Sequence, residues 1–180
     1  MRWLGFMRWL GWMFPILAAA AALVISPASA MAATTYSDSI SGYEFAATST
    51  HGSFAGIASG ALFGAWSATV DHAPLGTSAT IKGGDFHLAT YLHGATYLHG
   101  IPTRVTGHFR GGTVKQVSGF TGCANQQYAV DGVLGDVGFG SAGSGTGTFA
   151  ARLTHYRTKI LGHCMTYSAS VIGSLSLAPS

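Results

Sequence analysis

A regular alternation of apolar and polar residues near the end of the chain constrains the fold more than any other feature. The apolar side chains there alternate with threonine and serine: Met165, Tyr167, Ala169, Val171 and Leu175. Successive side chains of a β-strand point to opposite faces, so this pattern predicts a strand with one buried and one solvated face. The same alternation recurs at residues 62–70, 104–110, 128–134 and 149–153. Weaker candidates are residues 40–48, 53–58, 80–92 and 113–120.

The connections between these segments are rich in glycine or contain proline. They are residues 71–79, 100–103, 110–113 and 135–147. We interpret the last of them, GDVGFGSAGSGTG, as a flexible loop. It is not a phosphate-binding loop, because a strand pattern rather than a helix follows it.

Eight or nine short strands with such connections, and no helical period after residue 30, predict an all-β fold. We favour a single antiparallel β-barrel of about eight strands, with a β-sandwich as the alternative. Four glycines fall on the predicted inward face, where tight curvature or close backbone approach uses them: Gly64, Gly107, Gly132 and Gly173.

The first 30 residues have the pattern of a cleavable export signal. Arg2 and Arg8 precede the uncharged apolar stretch 13–25, and small residues at 28–30 follow Pro27. That stretch is shorter than the roughly 20 residues that span a bilayer as a helix. We therefore predict a signal peptide at residues 1–30 and one secreted domain at residues 31–180.

The predicted destination is extracellular or periplasmic, with membrane contact only transient, through the signal peptide. A near-exact duplication, RWLGFM followed by RWLGWM, leaves Met1, Met7 and Met13 as alternative starts. Cleavage would remove two of the nine basic residues, leaving seven against six acidic ones. The glycine-rich domain is then nearly neutral, and a nucleic-acid partner loses its support from composition.

The two cysteines of the chain, Cys123 and Cys164, both lie in the predicted domain. An oxidising destination and an even count favour a disulfide between them. A metal site built on His163 and Cys164 is the alternative, but the C-x-x-C spacing of zinc sites is absent. We therefore predict the disulfide and assign no metal and no cofactor.

Histidines concentrate in an exact six-residue repeat, ATYLHG, at residues 89–94 and 95–100. In one continuous strand a single face would carry Asp85, His87, Tyr91, His93, Tyr97 and His99. Such a face is a candidate for binding a metal or ligand, or for sensing pH. The alternative is a solvated strand face or loop that arose by sequence duplication.

Catalytic motifs are absent: the chain contains no G-x-S-x-G, H-E-x-x-H, Walker loop or C-x-x-C. Asp71–His72 and His155–Tyr156–Arg157 are candidates for an acid–base site in three dimensions, although each is more typical of a surface. A glycosidase pair would have to come from the six carboxylates of the domain, and no spacing selects one.

Three functions are compatible with these patterns. The first is a non-catalytic secreted barrel that binds a small apolar ligand or another macromolecule, such as a cell-surface partner. A small barrel enzyme of the cyclase or isomerase type is the second, and an outer-membrane barrel is the third. The candidate cavity residues are Trp66, Phe109 and Tyr128, within a wider aromatic set that adds Tyr43, Phe45, Phe54 and Phe63.

Overall fold

The computed structural model describes residues 35–91 and 102–180. The chain divides into two compact units, Met1–Met31 and Ala32–Ser180, and the described residues all belong to the second. The predicted signal peptide therefore lies outside the described residues, as do His93, Tyr97 and His99. No helix in the described part of the chain is long and apolar enough to cross a membrane.

The described residues form nine β-strands and one short 3-10 turn, so the all-β prediction is confirmed. The strands are β1 (Tyr36–Ala47), β2 (His51–Gly60), β3 (Gly64–His72), β4 (Ser78–Gly83), β5 (Asp85–Thr90), β6 (Arg104–Ser118), β7 (Gln126–Gly138), β8 (Ser144–Ile160) and β9 (His163–Pro179). The 3-10 turn, Gly140–Ala142, connects β7 to β8.

The strands form one antiparallel sheet that closes in a ring. Its order is β2-β1-β9-β8-β7-β6-β4-β3-β5, and the pairings β2–β3 and β6–β5 complete the circle. Both β4 and β5 lie between β3 and β6, and only Gly84 separates them. The nine strands therefore occupy eight places, because β4 and β5 follow one another end to end in a single place. Each of the other strands from β2 to β9 pairs with the strand that directly precedes it in the sequence.

Two glycine-rich segments that we interpreted as connections belong largely to strands, so that interpretation is wrong. Residues 110–113 lie within β6, where Gly111 and Gly112 have φ of 156° and 143° and the register with β7 shifts. In the segment 135–147, only residues 139–143 lie outside β7 and β8. Glycine in a strand permits close backbone approach and bulges, so it does not by itself mark a loop.

Trp66 shows why glycines occur inside the ring. Gly42 pairs with Gly56, and Gly56 pairs with Trp66 on the other side. A Cβ atom added at Gly42 would lie 2.8 Å from Cζ2 of the indole, whose Nε1 donates a hydrogen bond to the carbonyl oxygen of Ser41 at 3.2 Å. The missing side chains thus leave room for the largest aromatic ring of the core.

The predicted disulfide between Cys123 and Cys164 is present, with Cα atoms 5.4 Å apart. It joins the β6–β7 connection to the start of β9. Hydrogen bonds also join the β6–β7 connection to β8, because the Arg157 backbone N–H donates to Asn125 Oδ1 at 3.0 Å and its guanidinium donates to the carbonyl oxygen of Gly122 at 3.4 Å. The disulfide therefore braces the end of the ring at which β8 passes into β9.

Candidate functional site

The interior of the ring contains a cavity of about 100 Å³ with an almost entirely apolar lining. Its walls include the aromatic side chains of Phe54, Trp66, Phe86, Phe109 and Phe149. The rings of Phe109 and Phe149 meet edge to face, with centroids 5.0 Å apart. Each of these side chains comes from the inward set of an alternating strand, so the alternation that forms the sheet also forms the cavity wall.

One end of the ring is closed by large apolar side chains, and we call it the closed end. The side chains that fill it are almost inaccessible to solvent: Leu62, Leu88, Val105, Val137, Phe139 and Leu177. Phe139 is the largest of them, at 1% exposed, and its ring lies 5.8 Å from that of Tyr36.

A buried carboxyl group, Asp38, also lies at the closed end. Its Oδ1 accepts a hydrogen bond from the Leu62 backbone N–H at 2.7 Å, while its buried Oδ2 has no partner among the described residues. Burial raises the pKa of Asp38, and the hydrogen bond from Leu62 opposes that shift in part. Folding therefore shifts the equilibrium of Asp38 toward its protonated form.

Asp38 should make stability depend on pH. Because its pKa is raised in the folded state, its contribution is fully present below about pH 4 and is lost as pH rises through the folded pKa. We expect Asp38→Asn to match the parent at pH 4 and to be about 1–3 kcal/mol more stable at pH 7. Urea unfolding of both proteins at the two pH values tests this, and an equal difference at both would contradict it.

The opposite end of the ring is polar and reaches solvent, and we call it the open end. Exposed Ala47, Thr48 and Leu75 line the cavity there. Three ionisable side chains line it as well: Glu44, His72 and His155. An apolar interior with a few polar groups at its mouth is the usual composition of a small-molecule site.

Glu44 and His155 form a hydrogen-bonded pair within this mouth. The distance from His155 Nε2 to Glu44 Oε2 is 2.8 Å, and the two side chains are only 13% and 8% exposed. Glu44 extends from β1 and His155 from β8, on either side of β9, where His155 pairs with the small residue Ala169. The closure of the sheet thus brings together two residues that lie 111 positions apart.

Two further side chains complete the polar mouth. His72 is buried, and its Nδ1 donates a hydrogen bond to the carbonyl oxygen of Ala73 at 2.7 Å. The ring of Tyr128 lies 5.3 Å from that of His155. Burial raises the pKa of Tyr128, against the opposing effect of Arg157, so its hydroxyl stays protonated and donates to Gln126 Oε1 at 3.3 Å.

The structure places the three predicted cavity residues inside the ring. Trp66 and Phe109 line the cavity, and Tyr128 is buried beside His155. Of the four other aromatic residues in the wider set, only Phe54 lines the cavity. The other three are exposed: Tyr43, Phe45 and Phe63. Those three occupy outward positions, so their assignment to a cavity is wrong.

The predicted histidine face lies on the outside of the ring as far as the structure describes it. Asp85 Oδ1 is 2.6 Å from Nδ1 of His108, His87 is exposed, and the ring of Tyr91 packs 5.7 Å from that of Phe63. In residues 35–91 and 102–180, no group of three or more His, Cys, Asp or Glu side chains is arranged to hold a metal.

Neither of the two predicted acid–base clusters forms as a unit. Asp71 faces outward and contacts His51 at 2.7 Å, whereas His72 faces the cavity. Of the second cluster only His155 lines the cavity, while Arg157 donates to the Gly122 carbonyl oxygen. The partner of His155 is Glu44. The sequence pattern could indicate only that Glu44 lies on the inward face of the first strand, and it does not show which residue Glu44 contacts.

No model of a protein family, no curated protein and no solved structure matches this chain. The cavity and its polar mouth are therefore the basis for assigning a function.

Proposed function

We propose that the ring is a β-barrel that binds a small apolar ligand carrying one hydrogen-bonding group. The observation that carries this proposal is the partly buried Glu44–His155 pair at the mouth of an apolar cavity. The aromatic walls would contact the body of the ligand, and the pair would bind its polar group. An exported carrier or scavenger of small molecules is the corresponding role.

The cavity volume supports a ligand of limited size. An apolar cavity of about 150 Å³ in another protein binds benzene, and the cavity here measures about 100 Å³. A single ring would fill that space and extend into the open end, whereas a long lipid tail would require the walls to move.

The polar pair is better explained by recognition than by stability. Replacing both partners of a hydrogen bond with apolar groups of the same shape can be nearly neutral or stabilising, so a fold does not require such a pair. Glu44 and His155 instead lie where a ligand would enter. A buried hydrogen-bonding site of this kind discriminates between ligands, because a ligand without a polar group leaves it unpaired.

Two observations support an exported, water-soluble domain. The Cys123–Cys164 disulfide is compatible with an extracellular or periplasmic destination. The outward positions of β1 and β9 carry serines where the outside of an outer-membrane barrel needs an apolar band: Ser37, Ser39, Ser41, Ser174 and Ser176.

Toluene and p-cresol test the proposal, because they differ by one hydroxyl group. Trp66 is the sole tryptophan of residues 32–180, so its fluorescence reports on the cavity. We expect p-cresol to bind about tenfold more tightly than toluene, which corresponds to one net hydrogen bond.

The matched variant is Glu44→Leu/His155→Leu, which removes both polar partners together and leaves neither one buried alone. It should retain toluene binding and lose the preference for p-cresol. Equal binding of p-cresol by parent and variant, or no response of Trp66 to either compound, would overturn the proposed site.

A second candidate function is an isomerase, and the 2.8 Å contact between His155 and Glu44 favours it. A carboxylate that orients a histidine is a common arrangement for a general base. Such a base would take a proton from one carbon of the ligand and return it to another, so that no co-reactant is needed.

The probe for this candidate is 3-cyclohexenone, whose conversion to 2-cyclohexenone moves one proton from C2 to C4. Isomerisation above the buffer rate, lost in the double leucine variant, is the outcome that an enzyme predicts. Recovery of unchanged 3-cyclohexenone from a protein that binds it would identify a carrier and reject the isomerase.

A further inference from the structure

The two longest strands continue past the open end of the ring as a hairpin. The last β1–β9 pair is Tyr43 with Ser170, and the first β7–β8 pair is Gln126 with His155. Beyond these pairs, residues 156–168 form strand pairs only with one another in the described part of the chain. We call these residues the β8–β9 arm, and its residues 158–168 are all exposed.

In the turn of the β8–β9 arm, a leucine occupies a position whose backbone conformation is unfavourable for it. Leu161 has φ of 48° and Gly162 has φ of 86°, both in the left-handed region. Asparagine or glycine suits both central positions of such a hairpin turn, whereas leucine is strained there. Leu161 is also 94% exposed, so packing within the chain does not compensate for that strain.

Four other large apolar side chains are exposed on the β8–β9 arm and on the β6–β7 connection. We call the group the tip cluster: Phe120, Ile160, Leu161, Met165 and Tyr167. Phe120 belongs to the β6–β7 connection, which the Cys123–Cys164 disulfide holds against the arm. A group of exposed apolar side chains on a braced, protruding hairpin is typical of an interaction site.

The charged side chains of the β8–β9 arm are positive. Residues 156–168 contain Arg157 and Lys159 and no aspartate or glutamate. Exposed apolar side chains beside lysine and arginine match the interface of a bilayer that contains anionic lipids. A protein partner with an apolar surface would not by itself account for the lack of acidic residues on the arm.

We propose that the tip cluster docks the open end of the ring onto an anionic phospholipid bilayer. Ile160 follows His155 by five residues along β8, so the arm extends from the mouth of the cavity. A docked molecule would hold that mouth near the membrane surface, where small apolar molecules partition. The proposed docking is inferred from the β8–β9 arm alone, whereas transfer of a ligand between the membrane and the cavity rests on the proposed function.

Vesicle sedimentation tests the docking. The protein is residues 32–180, the compact unit that contains the whole described sheet, the core and the disulfide. We expect it to bind vesicles of phosphatidylcholine with 30% phosphatidylglycerol and to bind pure phosphatidylcholine at least tenfold more weakly. Leu161→Asn should reduce binding to the anionic vesicles about tenfold while keeping or raising the unfolding midpoint, because asparagine tolerates the left-handed region.

Two further variants separate the contribution of the positive charges to vesicle binding from that of the apolar side chains of the tip cluster. Arg157→Gln/Lys159→Gln should abolish the preference for anionic vesicles. Ile172→Ser, which removes an apolar side chain that is 66% exposed on the body of β9, should bind like the parent.

Binding of Leu161→Asn equal to that of the parent, or no binding of the parent to either vesicle, would overturn the proposal. Self-association of the parent that is lost in Leu161→Asn, without vesicle binding, would overturn it in favour of a second copy of the chain. The p-cresol titration is independent of these results, so failure of the docking and failure of the cavity are distinguishable.

Discussion

Replacing Phe139 by alanine is expected to lower the free energy of unfolding by about 3–5 kcal/mol. Phe139 is the largest fully buried side chain of the described residues, and it helps to close one end of the ring. Removing it takes apolar contacts from the core and leaves a void that the surrounding strands fill only in part. A small domain has a total stability of about 5–15 kcal/mol, so the variant should be marginal at 37 °C.

Equilibrium unfolding in urea measures this loss. Phe120→Ala is the matched control, because Phe120 is 61% exposed and its truncation should change stability by no more than about 0.5 kcal/mol. A loss below about 1 kcal/mol for Phe139→Ala would show that the closed end is not packed as described.

Removing the disulfide with Cys123→Ala/Cys164→Ala is expected to cost about 4 kcal/mol. The two cysteines are 41 residues apart, and a closed loop of that length restricts the unfolded chain by about this amount in the chain-entropy model. The variant also frees the β6–β7 connection from the start of β9, and the contacts of Arg157 with Asn125 and Gly122 then hold that connection only to β8.

The measurement is urea unfolding with and without a phosphine reductant. Reduction should shift the parent to the midpoint of the double alanine variant, and the variant itself should not respond. A parent whose midpoint is insensitive to reductant, while its two thiols become accessible to a thiol reagent, would contradict the stabilising role.

Alternation predicted the strands because it follows directly from how a strand buries one face. The segments 104–110 and 113–120 were predicted separately, whereas β6 runs from Arg104 to Ser118. The bulge between Phe109 and Gly111 shifts the alternation by one residue, so the two halves of the strand do not share one pattern. Phe139 was assigned to a flexible loop for a related reason. Its glycine neighbours indicate a turn, and no local pattern shows that the turn folds back over the end of the ring.

The contact between Glu44 and His155 could not be predicted from local sequence patterns either. Glu44 and His155 meet only because β9 pairs with both β1 and β8, and that pairing depends on closure of the whole sheet. Strand periodicity predicts which face each side chain occupies, but the register between distant strands decides which side chains meet. Trp66 and Phe109 were predictable cavity residues because inward direction alone was enough.

Intermolecular nuclear Overhauser effects between p-cresol and residues 32–180 test the central claim most directly. If the cavity is the binding site, the aromatic protons of p-cresol will show contacts with Trp66 and Phe109, and these contacts will be absent with excess toluene as a competitor. Contacts confined to outward residues such as Tyr43 and Phe45, or no contacts at a saturating concentration, would contradict a ligand site inside the ring.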